Sequence, residues 1–151
     1  MDNEKLKILI VDDEPDILEI LKINLEDAGY KVYSASNGKK ALKKADLIIP
    51  DLIILDIMMP IMDGIETCER LRLDERFKET LVIFLTARGE EYSHIAAFES
   101  GADDYVTKPI KPRILNSKVK ALLRRFKTDF GQILSFENLI IDSEKYIVKV
   151  N

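Results

Sequence analysis

The chain has 151 residues, 46% of them hydrophobic and 33% charged, with a formal net charge of −4. This is the composition of a soluble globular protein with room for one ordinary domain and part of a second, so a disordered chain is excluded. Cys68 is the sole cysteine, which excludes an internal disulfide and a multi-cysteine metal centre. It reads as a small core residue on a helix. The charge balance argues against a surface that grips nucleic acid as a whole. No run approaches the ~20 apolar residues of a membrane span, and MDNEKLKILIV is too briefly apolar for a secretory signal, so the expected location is cytoplasmic with no membrane contact.

Residues 6–11 are almost continuously apolar and predict a first strand. Pro15 suits a first helical turn, Ile17, Ile20, Leu21 and Leu25 form a stripe, and Gly29 stops that helix. A second strand follows over 31–35, a helix over about 38–45, a third strand over 51–55 and a helix over about 64–73. Residues 81–85 predict a fourth strand, about 90–100 a helix ended by Gly101, 104–107 a fifth strand, and about 111–126 a helix started at Pro112. The Ile, Leu and Val runs suit strands buried on both faces, and repeated strand–helix alternation implies a doubly wound parallel α/β sheet.

After Phe126 the pattern changes. Residues 127–131 form a short polar linker, and 133–136, 139–141 and 146–150 read as three brief strands. The expected organisation is therefore a domain over 1–126, a linker over 127–131 and a β fragment over 132–151, too small for a core of its own.

In an open parallel sheet, ligands bind beyond the carboxyl ends of the strands. The first strand runs into Asp12, Asp13 and Glu14, the third into Asp56, the fourth into Thr86, and the fifth into Lys108 and Pro109. Carboxylates packed together repel unless they are protonated or bridged by a cation. An oxygen-only donor set of a few carboxylates plus water suits Mg²⁺. Such a site lets an anionic phosphoryl donor approach Asp56, whose carboxylate can attack phosphorus to give an acyl phosphate. Lys108 and Thr86 would hold the remaining phosphoryl oxygens. Taken singly, Asp16, Asp63 and Asp103 read as helix caps or turn formers. Lys108 alone would read as a solvated lysine, and it is the convergence of five residues at one edge that carries the chemistry.

Pro60 limits how the chain leaves the third strand, and Gly64 permits a turn that most residues resist. Met58 and Met59 read as gap fillers. His94, the only histidine, reads as a surface or interface side chain, and Arg124, Arg125 and Lys127 complement the dipole of the last helix.

The segments ILIVDDEPDI, DLIILDIMMPIMDG, VIFLTA and GADDYVTKPI, in this order and spacing, resemble the receiver domain of two-component response regulators over about residues 5–126. The resemblance implies a flavodoxin-like sheet of order 2-1-3-4-5, with Asp56 as the acceptor of a phosphoryl group from a sensor histidine kinase. It implies Mg²⁺ bound by Asp13, Asp56 and the backbone carbonyl of Met58, with Asp12 acting through water. It makes Thr86 the switch hydroxyl, Lys108 the phosphoryl clamp, Tyr105 the aromatic that turns inward, and Lys108–Pro109 a cis peptide.

The segment KPRILNSKVKALLRR and the strands after it resemble the subclass whose output is a winged-helix DNA-binding domain. No segment here supplies a recognition helix, so DNA binding is expected only through a missing output domain, and the chain reads as truncated inside it. The subclass dimerises through its fourth helix, fifth strand and fifth helix. Its usual charge pair falls on His94 and Ile114 here, which leaves Asp103, Asp104, Lys118, Lys120 and Phe98 to build that homodimer.

Three other readings compete. An aspartate-nucleophile phosphohydrolase places a second Asp two residues after the nucleophile, where this chain has Met58. A flavin-binding domain needs a small-residue phosphate loop after the first strand, where DDEPD would repel phosphate. A receiver serving only as a binding module would not need the intact acceptor set.

Overall fold

The computed structural model describes residues 5–87 and 98–124. The apolar runs fold into five strands: β1 (Lys7–Val11), β2 (Lys31–Ala35), β3 (Leu52–Asp56), β4 (Leu81–Thr86) and β5 (Asp104–Thr107). All neighbours are parallel, in the order β2-β1-β3-β4-β5 expected for a flavodoxin-like receiver. Between them lie α1 (Pro15–Asp27), α2 (Gly38–Ile48) and α3 (Gly64–Arg72), and a 3-10 turn, Glu75–Phe77, precedes β4. Residues 112–124 are helical.

The chain divides into two compact units, Met1–Lys118 and Val119–Asn151, and all five strands lie in the first. The expected linker over 127–131 and strands over 132–151 lie outside the described residues, as do His94 and most of the helix expected over 90–100.

Strand pleating divides the core into two faces. Leu9, Val11, Ile53, Leu55, Val82 and Phe84 point to one face, where they cluster with Ala41 and Ala45 of α2 and Cys68 and Leu71 of α3. Ile8, Ile10, Leu52, Ile54, Ile83 and Leu85 alternate with them and are equally buried. Leu21 and Leu25 give α1 its own buried stripe, and Asn24 and Asn116 join α1 to the helix beginning at 112 through paired amide hydrogen bonds. Because β1 and β3 are central and buried on both faces, the chain leaving their carboxyl ends is held firmly.

Helix ends follow local chemistry. Pro15 opens α1, and Gly29 beyond its end takes φ 101°, a conformation open to glycine. Asn37 caps α2 by accepting from Lys40 N–H, and Asp63 caps α3 by accepting from Glu66 N–H at 2.8 Å. Asp16 lies in the first turn of α1. The second helix runs three residues past its expected end and closes at Ile49 with φ 47°. No glycine marks that stop, and Pro50 prevents further winding.

Candidate functional site

The ends of β1 and β3 bring the acidic residues together. Asp12 follows β1 directly, donates its N–H to Ala35 O at 3.2 Å and is completely buried. Its Oδ1 accepts from Glu14 N–H at 2.9 Å, which folds the DDE segment back on itself. Asp56 ends β3 and is 4% exposed, whereas the next-door Asp13 is exposed. Carboxylate oxygens of Asp12, Asp13 and Asp56 all lie within 4.8 Å of one another. The fifth strand delivers Lys108, whose N–H donates to Thr86 O at 2.7 Å. Its Nζ stands 3.3 Å from Asp12 Oδ2 and 3.4 Å from Asp56 Oδ2. Lys108–Pro109 is cis, as the resemblance implies.

One ammonium thus faces two buried carboxylates, with a third carboxylate at the rim, so the cluster carries excess negative charge. Burial pushes Asp56 up from 3.8 to about 6, and the neighbouring Asp12 adds to the rise. Lys108 and the Met58 N–H work against it. Burial disfavours charge on Lys108 too, but Asp56 and Asp12 outweigh it and hold the ammonium above its ordinary range. Among the described residues, Asp12 Oδ2 is buried without a hydrogen bond of good geometry and is compensated by the long ion pair to Lys108. A buried, under-satisfied carboxylate oxygen beside two more carboxylates is a donor set that fits a hard divalent cation. The acidic cluster could therefore hold a metal ion.

The loop after Asp56 closes tightly over the site. Met58 N–H donates to Asp56 Oδ1 at 3.3 Å, and Gly64 N–H returns to Ile57 O at 2.9 Å. Gly64 is required for a different reason from the expected one. Its backbone is not left-handed, but a Cβ there would stand 2.2 Å from Asp56 O and 2.9 Å from Ile57 Cα. Contact with the end of β3, rather than turn conformation, excludes a side chain. The left-handed position is Ile61, at φ 73°, where Met62 N–H donates to Pro60 O. A β-branched residue there carries strain that Gly64 does not. Met59 is buried as a gap filler, whereas Met58 is 62% exposed above the site.

Thr86 is buried at the end of β4, one residue beyond the pairing of Asp56 with Leu85. Tyr105 lies on β5 opposite Phe84 and packs edge-on against Phe98, with centroids 5.7 Å apart. The sequence-identified residues thus fall into two groups. Asp12, Asp13, Asp56 and Lys108 meet directly, while Thr86 and Tyr105 continue along the β4–β5 side of the sheet. Cys68 is a buried core thiol, donating to Ser100 O at 3.4 Å.

Arg72 escaped the sequence reading, because a basic residue ending a helix reads as solvated. Its guanidinium donates to the carbonyls of Phe77, Thr80 and Gly101 at 2.7–3.1 Å. It also pairs with Asp103 at 3.3 Å. Asp103 in turn accepts from Val82 N–H at 2.9 Å, so it anchors the start of β4. The neighbouring Asp104 pairs with Lys118 at 3.3 Å within the chain.

Residues 8–120 match the family model of the response regulator receiver domain. The chain is 51% identical over 119 residues to the alkaline phosphatase synthesis transcriptional regulatory protein PhoP of Bacillus subtilis, covering 79% of this chain and 49% of that protein. It is 43% identical over 150 residues to the transcriptional regulatory protein ResD of the same organism, covering 94% and 61%. The chain spans about half to three fifths of the length of these curated relatives. Among solved structures, chemotaxis protein CheY4 of Vibrio cholerae aligns with a TM-score of 0.75 and 32% identity, over 78% of this chain and 98% of that one. A two-component response regulator from Clostridium difficile gives 0.75 and 36%, over 80% and 98%.

Proposed function

The chain belongs to the response regulator receiver domain family, and we propose that it works as a phosphoacceptor switch on Asp56, supplied by a sensor histidine kinase. The observation that carries this reading is the meeting of buried Asp56 with Asp12, Asp13 and Lys108 at one sheet edge. Asp13, Asp56 and the Met58 carbonyl would hold Mg²⁺, with Asp12 acting through water. Bound there, the ion supplies charge neutralisation and a template for phosphoryl oxygens.

The Asp56 carboxylate attacks phosphorus as the bond to the donor nitrogen breaks, leaving an acyl phosphate on this chain. Lys108 then exchanges its pairing with Asp56 for a phosphoryl oxygen, and the Thr86 hydroxyl donates to another. Movement of Thr86 frees space that Tyr105 fills, which carries the change to the outer face of β5. Self-association through the fourth helix, β5 and the last helix is the proposed response. In a longer protein, residues 1–126 would form the receiver, 127–131 a linker, and 132–151 the start of a DNA-binding output domain that controls transcription. The proposed location is the cytoplasm, and among the described residues no helix is long and apolar enough to cross a membrane.

Met58 stands where a phosphohydrolase would need a second acid, so turnover of external esters is not expected. Incubation with a generic phosphate ester and, separately, with a small acyl or amidophosphate tests this. The switch predicts at most one phosphoryl group retained per chain from the second donor and no sustained release from the first. Sustained ester turnover would overturn it.

A further inference from the structure

Among the described residues, β2 forms an edge of the sheet. Lys31 N–H donates to Leu6 O at 2.9 Å, and Ala35 O accepts from Asp12 N–H at 3.2 Å, so the odd-numbered residues of β2 turn their backbone groups toward β1. In a parallel ladder the N–H and C=O of one residue point the same way. Val32 and Ser34 therefore turn theirs outward, where a further strand could meet them.

A groove of about 440 Å³ runs along this rim, lined by Leu18 of α1, Ser34 of β2, and Lys40, Lys43, Lys44 and Leu47 of α2. Positions 40, 43, 44 and 47 share one helical face. Leu47 is 80% exposed there. The three lysines share with Lys39 and Lys111 the lack of an ion pair among the described residues, and what sets them apart is their gathering on one helical face. Lys22, Lys78, Lys108 and Lys118 each lie within 2.9–3.9 Å of a carboxylate. Among the described residues, Lys40, Lys43 and Lys44 have no such partner. Three like charges at i, i+3 and i+4 repel one another, and an acidic partner would relieve that repulsion.

We propose that this rim receives an extended acidic segment of a partner protein as a sixth strand beside β2. Lysines along an edge discourage a neutral or basic strand, which would bury their charge without compensation. An acidic strand reverses the sign of that effect. Its alternate carboxylates reach the lysines of α2, its backbone meets Val32 and Ser34, and the apolar positions between them, on the opposite face, meet Leu18 of α1. Nucleic acid would engage the lysines but leave the outward backbone groups unused, against an overall charge of −4.

The test titrates the full chain with a peptide of alternating Glu and Val, against one of alternating Lys and Val, following backbone amides by NMR. The proposal predicts binding of the acidic peptide alone, with slowed amide exchange at Val32 and Ser34. The triple change Lys40→Glu, Lys43→Glu, Lys44→Glu should weaken it about tenfold or more, as should high salt. Ser34→Pro removes one outward donor at an edge that tolerates proline and should weaken binding while the lysines remain. Four outcomes would overturn the proposal: no binding, binding indifferent to the triple change, binding without protection of Val32 and Ser34, or tighter binding of duplex DNA through the same lysines.

Discussion

At the scale of single residues, Asp56 shows how burial and a neighbouring carboxylate change the chemistry of one carboxyl group. Its carboxyl is raised from 3.8 to about 6 by burial first and by Asp12 second. The folded state therefore holds a proton that the unfolded chain releases near pH 4. In a chelator, both states are protonated below pH 4 and the group is neutral in its effect. As pH rises from 4 to 6 the unfolded chain gains, and above 6 the loss of stability is complete. Asp56→Asn removes this penalty. Thermal melts in chelator should show the variant more stable than wild type at pH 7–8, by on the order of 2 kcal/mol, and level with it near pH 4. A constant difference across that range would mean Asp56 is not the strained group.

Gly64 makes a second point at this scale. The sequence shows a glycine after a proline-containing loop, which reads as conformational freedom, but the need is for space beside Asp56 O. Gly29 is the opposite case: among the described residues no atom beyond its chain neighbours lies within 4 Å of a Cβ there, and its φ of 101° is what requires glycine. Gly64→Ala should cost about 1–3 kcal/mol of stability from the forced shift of the end of β3, and, with Asp56 as the proposed acceptor, should slow phosphorylation as well. Wild-type melting and labelling in that variant would show that the loop yields without strain.

At the scale of elements, the strands were legible because unbroken Ile, Leu and Val runs have few homes other than a sheet covered on both faces. The end of α2 was not, since Ile49 at φ 47° stops a helix where no glycine announces it. Asp103 reads locally as a turn former, yet its partners Val82 and Arg72 are 21 and 31 residues away. Interactions of that range leave no periodic trace. Arg72 is their centre, tying the end of α3 to the 3-10 turn, the start of β4 and the turn before β5. Arg72→Ala takes a donor from the carbonyls of Phe77, Thr80 and Gly101, of which Phe77 O keeps Thr80 N–H, and should destabilise by about 2–4 kcal/mol. Chemical denaturation checks this, and a loss below 0.5 kcal/mol, the ordinary level of a surface change, would contradict it.

At the scale of the whole molecule, the order β2-β1-β3-β4-β5 puts the ends of β1 and β3 side by side and β4 and β5 next to them. Topology alone thus brings Asp56, the other acidic residues, Thr86 and Lys108 to one edge, with Tyr105 two residues back on β5 opposite Phe84. The acidic cluster and Lys108 could be read from strand ends, because each follows an apolar run directly. The roles of Tyr105 and of the Met58 carbonyl came only by resemblance, since neither side-chain chemistry nor spacing marks them. Separating chemistry from signalling provides a test at this scale. Thr86→Ala should still take a phosphoryl group while losing most of the phosphorylation-dependent self-association, measured by sedimentation with and without donor. A normal change in association would remove Thr86 from the proposed relay.

Asp56 is the proposed acceptor, with the neighbouring carboxylates enabling it through Mg²⁺. Intact-mass and peptide-level mass spectrometry after incubation with a small phosphodonor tests this most directly, comparing wild type, Asp56→Asn and Asp13→Ala. The account predicts one added phosphoryl group on the peptide containing Asp56 in wild type, only with Mg²⁺, none at that site in Asp56→Asn, and a sharp loss in Asp13→Ala. Undiminished labelling of Asp56→Asn, or labelling of wild type that is indifferent to chelator, would contradict it.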